Sequence, residues 1–377
     1  MRRCKIAIVA NSCWNIYNFR MELILHLAEM GHYVFVYAPE DHYTSKLKFP
    51  EVIHFQKLQL LEAKGLNPFR DILCLIELYR IFKNLEPDIV LNYTIKPNIY
   101  GSLAAGWLGI KAVSNLTGLG FTAGKPNLLR NVILQCYKWA LSKNTEIVFH
   151  NEEDLWWFRN RKLIGQNRGK VISGSGVNAE HFKCERQRKV STPFVFIFVG
   201  RTRKEKGIIE FLSAAEILAQ DHPEIQFWIV GAHDHNSMDI NTHSILNGYK
   251  NKGAFYFFGF EQDVRKRLSE ANVFVLPSYR EGRSKAMLEA MAMELPVITT
   301  SVAGCKQTIV QDVHGFIVPP KDALALSIAM KRIMTLSDEE LSAMGKRCRQ
   351  CVLDEFESKH IFAAYDEIIE NAMKKSN

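Results

Sequence analysis

The sequence predicts two α/β domains, each built on a doubly wound parallel sheet. Its 377 residues exceed what one ordinary hydrophobic core holds. Short apolar strands alternate with amphipathic helices through both halves, and the segment SGSGVN at 173–178 has the composition of a linker. We therefore expect domains at 1–173 and 174–357 with a ligand-binding cleft between them, followed by a last helix within 358–377.

The composition is that of a folded protein with anionic partners. Hydrophobic residues make up 47% of the chain, charged residues 23%, and the formal net charge is +8. No apolar run approaches about twenty residues, and the run near Met1 is too short for a signal peptide, so we expect a cytoplasmic protein. Phosphate-rich substrates and an anionic membrane surface both fit the charge. Nucleic acid is not favoured, because the chain has no zinc-finger spacing, RNA-binding signature or basic tail.

The eight cysteines are predicted to be reduced thiols, because their spacings suit neither a disulfide framework nor a zinc site. Cys348 and Cys351 form a CxxC in a segment predicted to be a surface helix. His233 and His235 are more typical of a solvated loop than of a metal site, and His150 is interpreted as a core histidine.

The first half opens with a βαβ unit: a strand at 5–10, a polar loop at 11–20, a helix to Met30 and a strand at 32–38. Further strands are predicted at 52–58, 88–91, 112–116 and 146–150, with helices at 68–85, 128–141 and 152–161. The loop at 11–20 and the glycine turn at 117–121 follow strands directly, and open α/β sheets bind ligands at that edge.

Basic and aromatic residues concentrate between 125 and 170, among them Trp156 and Trp157. Helices with such a surface can lie on an anionic bilayer. An ordinary solvated face over core tryptophans explains the same pattern, and both interpretations remain open.

The second half repeats the α/β pattern, with strands predicted at 193–200, 226–230, 255–258, 273–276, 297–300 and 316–318. Arg201 and Lys206 directly follow the first of these strands, so both side chains could reach one diphosphate. Taken alone, this charged turn is more typical of plain protein surface.

Two carboxylates give the stretch 273–296 its chemical interest. Glu281 lies in the predicted loop, Glu289 lies in the following helix, and Gly282 lets backbone approach a ligand closely. Ionised carboxylates accept hydrogen bonds from neighbouring sugar hydroxyls, and the start of a helix suits a phosphate. The residues at that helix start are Arg283, Ser284 and Lys285. The pattern indicates a nucleotide sugar, although two glutamates at this spacing also arise by chance.

Together these motifs resemble the family 4 retaining glycosyltransferases of the GT-B fold. The Arg-x4-Lys-Gly at 201–207, the Glu-x7-Glu at 281–289 and the GC-x-Q turn at 304–307 occur in the family's order. In the first half, NSCWNIYNFR and NYTIKPNIYGSLAA are similar to a narrower bacterial group that extends lipid-linked oligosaccharides for capsule, O-antigen or protein glycosylation. The resemblance implies two Rossmann-like domains facing a central cleft. It also implies that the helix in 358–377 crosses back to the first domain, rather than simply capping the second.

The resemblance also assigns roles to residues. Arg201 and Lys206 neutralise the donor diphosphate, Glu281 contacts the transferred sugar and Glu289 holds the ribose. The donor site is completed by Gly282, Arg283, Ser284 and Lys285, with Asn15, Thr117 and Gly118 from the first domain. No metal or other cofactor is expected, and the family's front-face mechanism lets the leaving phosphate take the acceptor proton.

Several positions depart from the family pattern. Thr117 stands where many members have His, and the loop after the first strand lacks their glycine pair. Arg283 and Ser284 stand where the narrower group has a small residue and Pro, and Glu294 replaces a frequent Gly. These departures affect the edges of the motif set and leave its charged residues in place.

The leading hypothesis is a glycosyltransferase at the inner face of a bacterial membrane, with no stable protein partner. It would move a hexose or N-acetylhexosamine from a UDP-sugar to an undecaprenyl-diphosphate-linked saccharide. One alternative is a GT-B sugar-nucleotide epimerase, whose carboxylate and histidine patterns we do not find. The other is a non-catalytic membrane-associated partner in polysaccharide assembly.

Overall fold

The computed structural model describes residues 3–62, 65, 67–118, 127–184, 193–232, 240–250 and 252–374. The chain divides into two compact units. The first consists of Met1–Ser175 together with Ser358–Asn377, and the second of Gly176–Glu357. Each unit contains one parallel sheet with helices between its strands, so the predicted α/β class is confirmed.

The first sheet has seven strands. They are β1 (Lys5–Val9), β2 (Tyr33–Ala38), β3 (Ile53–Lys57), β4 (Ile89–Tyr93), β5 (Lys111–Leu116), β6 (Glu146–Phe149) and β7 (Lys170–Val171). Their order is β3-β2-β1-β4-β5-β6-β7, and all neighbours are parallel. The chain winds outward from β1 in one direction and from β4 in the other. The sheet therefore reverses its winding between β1 and β4, and such a reversal leaves a crevice at the carboxyl edge.

The helices of the first unit are α1 (Cys13–Phe19), α2 (Met21–Glu29), α3 (Pro68–Leu85), α4 (Ser102–Trp107), α5 (Asn127–Leu141), α6 (Glu152–Asn160) and α14 (Ser358–Lys374). The prediction of a polar loop at 11–20 is wrong, because α1 occupies most of it. Ser12 caps α1 by accepting a hydrogen bond from the Asn15 amide. A single π-helical turn, Pro97–Gly101, precedes α4.

The second sheet has six parallel strands. They are β8 (Val195–Val199), β9 (Gln226–Val230), β10 (Phe255–Gly259), β11 (Val273–Leu276), β12 (Val297–Thr300) and β13 (Gly315–Val318). Their order is β10-β9-β8-β11-β12-β13, so this sheet reverses between β8 and β11. The strands other than β10 are rich in buried residues, as expected for a parallel sheet covered on both faces, whereas the edge strand β10 buries only Phe255.

The helices of the second unit are α7 (Ile208–Asp221), α8 (Ile240–Tyr249), α9 (Arg265–Glu270), α10 (Lys285–Ala292), α11 (Ala303–Lys306), α12 (Ala323–Met334) and α13 (Asp338–Cys351). Cys348 and Cys351 lie on α13 as predicted, but the prediction that this helix lies at the surface does not apply to Cys348. Cys348 is fully buried in the core, while Cys351 is half-buried. Burial raises the pKa of the Cys348 thiol far above its ordinary value, so it stays protonated.

Helix α14 is part of the first unit's core. Its buried residues Ile361, Tyr365, Ile368 and Ile369 join a cluster that also contains residues of β1, β2 and α2. Ser358 donates a hydrogen bond to Glu22 and Asp366 contacts His26, both on α2. An apolar stripe with this spacing packs one face of a helix onto a core. Within the described part of the chain, no helix is both long and apolar enough to cross a membrane.

Candidate functional site

The candidate site of the second unit lies where its sheet reverses. β8 and β11 are neighbours in the sheet, and the segment 201–207 follows one while the segment 277–284 follows the other. Because parallel strands end at the same edge, the Arg-x4-Lys-Gly and the first glutamate of Glu-x7-Glu come together there. These residues are distant in sequence and the sheet order alone makes them neighbours.

Lys206 and Glu281 form the central contact of this site. Lys206 Nζ lies 2.5 Å from Glu281 Oε1, and the Ser278 hydroxyl donates to the same oxygen at 2.7 Å. The two charged side chains are 21% and 8% exposed, so water screens the pair only in part. The other carboxylate oxygen, Glu281 Oε2, makes no hydrogen bond within the described residues. It is therefore an acceptor available to a ligand hydroxyl.

Two glycines allow the loops to approach this closely. Gly207 has φ 74°, and a Cβ there would collide with the carbonyl oxygen of Pro277. A Cβ on Gly304, at the GC-x-Q turn, would lie 2.5 Å from the carbonyl oxygen of Glu281. Both contacts are closer than a real Cβ atom allows. The two segments that pack against the loop containing Glu281 therefore require glycine at these positions.

Helix α10 begins beside this loop, as the sequence predicted. Ser284 is its N-cap and accepts a hydrogen bond from the Met287 amide. One turn further, Lys285 Nζ lies 4.0 Å from Glu289 Oε1, and the Glu289 side chain is 15% exposed. The start of α10 thus brings together a positive helix end, a lysine and a carboxylate.

The remaining predicted residues of the second unit have different surroundings. Arg201 is exposed at the end of β8, and Gly282 lies next to Glu281 in the loop. Arg283 is half-buried: its guanidinium donates to the Gln307 carbonyl and the Thr308 hydroxyl, and it lies 4.9 Å from the Phe356 ring centroid. These contacts connect the loop to the chain after α11, a role that the sequence did not indicate.

The predicted residues of the first unit lie at the carboxyl edge of its sheet. Asn15 is on α1, which follows β1, and its buried Oδ1 atom has no hydrogen-bond partner within the described ranges. Thr117 and Gly118 directly follow β5; Thr117 is exposed and Gly118 has φ 142°. The rest of the glycine turn, 119–121, and His233 to His235 lie outside the described residues.

Sequence reasoning missed the residues that hold the loop after β11. Ser278 positions Glu281, and the Thr300 hydroxyl donates to the Ser278 carbonyl at 2.5 Å. Tyr279 donates its backbone N–H to the Glu205 carbonyl, which connects this loop to the segment after β8. The signal available in the sequence was a hydroxyl residue near the carboxyl end of each of two buried strands, Ser278 after β11 and Thr300 at the end of β12.

Cys305 is the one thiol close to this site among the described residues. It is fully buried, and burial, with the Glu281 charge as a smaller cause, raises its pKa to about 12. A thiol with such a pKa stays protonated at neutral pH and is a poor nucleophile. Cys305 therefore packs behind the loop and takes no chemical role there.

Two family models match consecutive parts of the chain. Residues 5–151 match the glycosyl transferase 4-like model and residues 181–350 match glycosyl transferases group 1. A relative from Campylobacter jejuni, N,N'-diacetylbacillosaminyl-diphospho-undecaprenol alpha-1,3-N-acetylgalactosaminyltransferase, is 29% identical over 97% of this chain and 100% of its own. The Escherichia coli UDP-Gal:alpha-D-GlcNAc-diphosphoundecaprenol alpha-1,3-galactosyltransferase is 27% identical over 78% of each chain.

Solved structures of glycosyltransferases share the fold of this chain. Sucrose-phosphate synthase from Thermosynechococcus elongatus superposes with a TM-score of 0.83 at 21% identity, covering 99% of this chain and 100% of its own. Anabaena Alr3699/HepE in complex with UDP and glucose gives 0.79 at 15% identity, covering 98% and 100%. The protein is thus a glycosyltransferase with the GT-B fold. Within that class, its two parts are similar to the glycosyl transferase 4-like and the glycosyl transferases group 1 families.

Proposed function

We propose that this protein transfers a hexose or N-acetylhexosamine from a UDP-sugar to an undecaprenyl-diphosphate-linked saccharide, in the synthesis of a capsule, an O-antigen or a related glycan. The observation that carries the proposal is the contact of Lys206, Glu281 and Ser278 at the reversal of the second sheet. The names of the two curated relatives above support the acceptor, and the E. coli name also supports a UDP-linked donor.

The charges of the site suit a sugar nucleotide. An ammonium group has three N–H donors, and Lys206 uses one for Glu281, so two remain for diphosphate oxygens. Arg201, exposed at the end of β8, adds a planar guanidinium for the same group. Glu281 Oε2 would accept from the transferred sugar and Glu289 from the ribose. Gly282, Arg283, Ser284 and Lys285 would complete the donor site within the second unit.

We further propose that transfer retains the anomeric configuration and needs no metal ion. Arg201 and Lys206 would stabilise the negative charge that develops on the leaving diphosphate, as preorganised cations do in other phosphate sites. The acceptor hydroxyl would attack from the side of the leaving group and pass its proton to the leaving phosphate oxygen. No protein nucleophile takes part in this route.

The first unit offers a surface for an anionic membrane, and we propose that the protein works at its cytoplasmic face. On α3, Phe69, Ile72, Leu73 and Ile76 form an apolar stripe with exposures of 80%, 56%, 47% and 40%. Residues 89–145, which include α5, contain six Lys or Arg and no Asp or Glu. Exposed apolar side chains beside an excess of positive charge are the features that hold helices on anionic bilayers.

The acidic residues of α3 have partners of their own. Asp71 pairs with Lys96 at 2.7 Å, which offsets one of the six positive charges, and Glu77 accepts hydrogen bonds from the backbone amides of Gln59 and Leu60. The segment 89–145 therefore keeps an excess of Lys and Arg.

The test of the enzymatic proposal is UDP release from a panel of UDP-sugars, with and without an undecaprenyl-diphosphate-linked saccharide extract. We expect acceptor-dependent release with one donor, and a product whose anomeric proton coupling matches that of the donor. Chelation of divalent metal should leave the rate unchanged. Glu281→Gln, which keeps the size of the side chain and removes its charge, should lower kcat/KM at least about 100-fold.

A matched control is available in the same unit. Glu216→Gln breaks a similar lysine–glutamate pair, with Lys252, at an exposed position outside the site. It should leave kcat/KM unchanged. Folded protein that releases no UDP with any UDP-sugar and extract would contradict the proposal. Conversion of a UDP-sugar in the absence of acceptor would indicate an epimerase.

A further inference from the structure

Arg20 is a buried cation without a carboxylate partner. It is 3% exposed at the end of α1, and its guanidinium lies 4.0 Å from the ring centroid of Tyr93, the last residue of β4. Among the described residues no acidic side chain forms an ion pair with it, and its Nε is buried without a hydrogen-bond partner. Burying a charge without a counter-charge is costly, so proteins pair such groups or bring a ligand to them.

The groups packed against Arg20 do not supply the missing negative charge. Burial raises the pKa of both Tyr93 and Tyr365, so these hydroxyls stay neutral. Two carboxylates that contact or belong to the neighbouring helices have partners of their own: Glu22 on α2 accepts a hydrogen bond from Ser358, and Asp41 accepts one from the Trp14 amide of α1. The end of α1 and the Tyr93 ring offer only partial charges to the guanidinium.

Thr94 is a second unusual residue at the same place. It directly follows Tyr93 and has φ 74°, a conformation that β-branched residues rarely adopt. Its buried Oγ1 has no hydrogen-bond partner in the described part of the chain. Backbone strain that places an unpaired hydroxyl in a fixed position is typical of residues that contact ligands.

Both residues lie where the first sheet reverses. β1 pairs with β4, and the residues after these two strands stand at the carboxyl edge of the reversal. Asn15, whose Oδ1 also lacks a partner, lies on α1 between the end of β1 and Arg20. Open α/β sheets bind ligands at this position. The first sheet thus has a crevice with a cation and two polar atoms that have no partner among the residues that the structure describes.

We propose that Arg20 and Thr94 form an oxyanion-binding site of the first unit that holds a negatively charged group of the acceptor. The inference rests on the proposed function for the acceptor, and it assigns to the first unit an anion site separate from Arg201 and Lys206. The oxyanion is either a phosphate of the lipid-linked diphosphate or the carboxylate of an acidic sugar. A guanidinium binds both through paired N–H groups, and the Thr94 hydroxyl donates one further hydrogen bond.

Calorimetric titration of two probes tests this site. Geranyl diphosphate represents the lipid-linked diphosphate and methyl glucuronide represents an acidic sugar. Each is titrated into protein saturated with UDP, so that the nucleotide site is already occupied. Wild-type protein should bind one probe, and Arg20→Met should bind the same probe about 10- to 100-fold more weakly, the loss expected for charge-assisted hydrogen bonds. UDP affinity should not change.

Two further variants sharpen the result. Thr94→Val keeps the shape of the side chain, and should weaken binding of the same probe several-fold without changing the melting temperature. Arg161→Met is the matched control, since Arg161 lies 3.9 Å from the Trp157 ring centroid at the surface of the same unit. It removes a similar stacked guanidinium and should leave probe binding unchanged.

Thermal unfolding separates a ligand site from a structural arginine. If Arg20 serves to bind an anion, the melting temperature of Arg20→Met should lie within a few degrees of that of wild type. The reason is that the substitution removes a buried charge that has no counter-charge within the described residues. The binding probe should then raise the melting temperature of wild type only. Arg20→Met protein that fails to fold, or that binds the probe as tightly as wild type, overturns the proposal. So does wild-type protein that binds UDP and neither probe.

These measurements do not depend on transfer. A protein without any transferase activity can still bind the probes, so failure of the proposed function and failure of this site give different results. Where transfer is observed, Arg20→Met should raise the KM for the acceptor and leave the KM for the UDP-sugar unchanged.

Discussion

At the scale of single residues, Glu294 shows a local conflict between sequence and backbone. It follows the C-terminal end of α10 and has φ 61°. This left-handed conformation costs energy for a residue with a Cβ and little for glycine. The family's frequent glycine at this position therefore has a conformational reason.

Glu294→Gly should stabilise the second unit by about 0.5–1 kcal/mol, since relief of the left-handed strain exceeds the added entropy of the unfolded chain. Denaturant unfolding followed by circular dichroism measures this. Glu339→Gly, in the first turn of α13, has helical backbone and should instead destabilise by a similar amount. Equal losses in the two variants would contradict the explanation.

The residue types at the candidate site of the second unit could be predicted, but not their contacts. Lys206 and Glu281 were both singled out from their motifs, yet they are 75 positions apart and meet only because β8 and β11 are neighbours. The sequence contains no sign of strand order. For the same reason the role of Ser278 and the stacking of Arg20 on Tyr93 could not be predicted.

At the scale of elements, α14 connects the core of the first unit to a residue of β5. The Tyr365 hydroxyl donates to Asn115 Oδ1 at 2.5 Å, and both residues are fully buried. Asn115 also donates to the Asn92 carbonyl, so one helix, two strands and a polar layer are connected. A buried network of this kind holds a helix in one position on the sheet.

Tyr365→Phe should destabilise the first unit by about 1–2 kcal/mol, because Asn115 Oδ1 loses its partner inside the core. Thermal unfolding is the measurement. Tyr33→Phe is the control: Tyr33 is 51% exposed at the start of β2, and its substitution should have little effect. A melting temperature that is unchanged by both substitutions would show that the hydrogen bond contributes nothing to stability.

Strands were the elements that the sequence predicted best. Buried parallel strands are short apolar runs, and β11 and β12 have the predicted ends, Val273–Leu276 and Val297–Thr300. Helix α1 was missed because its polar and aromatic residues have no regular spacing, although its Ser12 cap was visible in the sequence. The π-helical turn at Pro97–Gly101 depends on packing around buried Asn98 and has no local signal.

At the scale of the whole molecule, the distribution of charge and apolar surface makes a prediction about membranes. The wild-type protein should sediment with vesicles that contain anionic lipid and not with neutral ones. Binding should weaken as salt rises, because screening shortens the reach of the Lys and Arg charges. Phe69→Ser with Ile72→Ser, in the apolar stripe of α3, should reduce binding about tenfold or more.

A matched pair of exposed apolar residues lies on the second unit. Leu324 and Ile328, on α12, are 62% and 61% exposed. Their replacement by Ser should leave vesicle binding unchanged, whereas an equal loss from both double variants would exclude the apolar stripe as the membrane contact. The sequence alone indicated a basic, aromatic region at 125–170. It could not show the stripe on α3, because exposure depends on which helix face the sheet leaves uncovered.

The division of the chain affects the order in which the protein is made. The second unit, Gly176–Glu357, is one continuous segment, but the first unit also contains Ser358–Lys374. A ribosome therefore finishes the entire second unit before it makes α14. Until then, the core residues that pack against Ile361, Tyr365 and Ile369 remain exposed to solvent. The earlier half of the chain is thus the later to complete its fold, and during synthesis it is the part most in need of a chaperone.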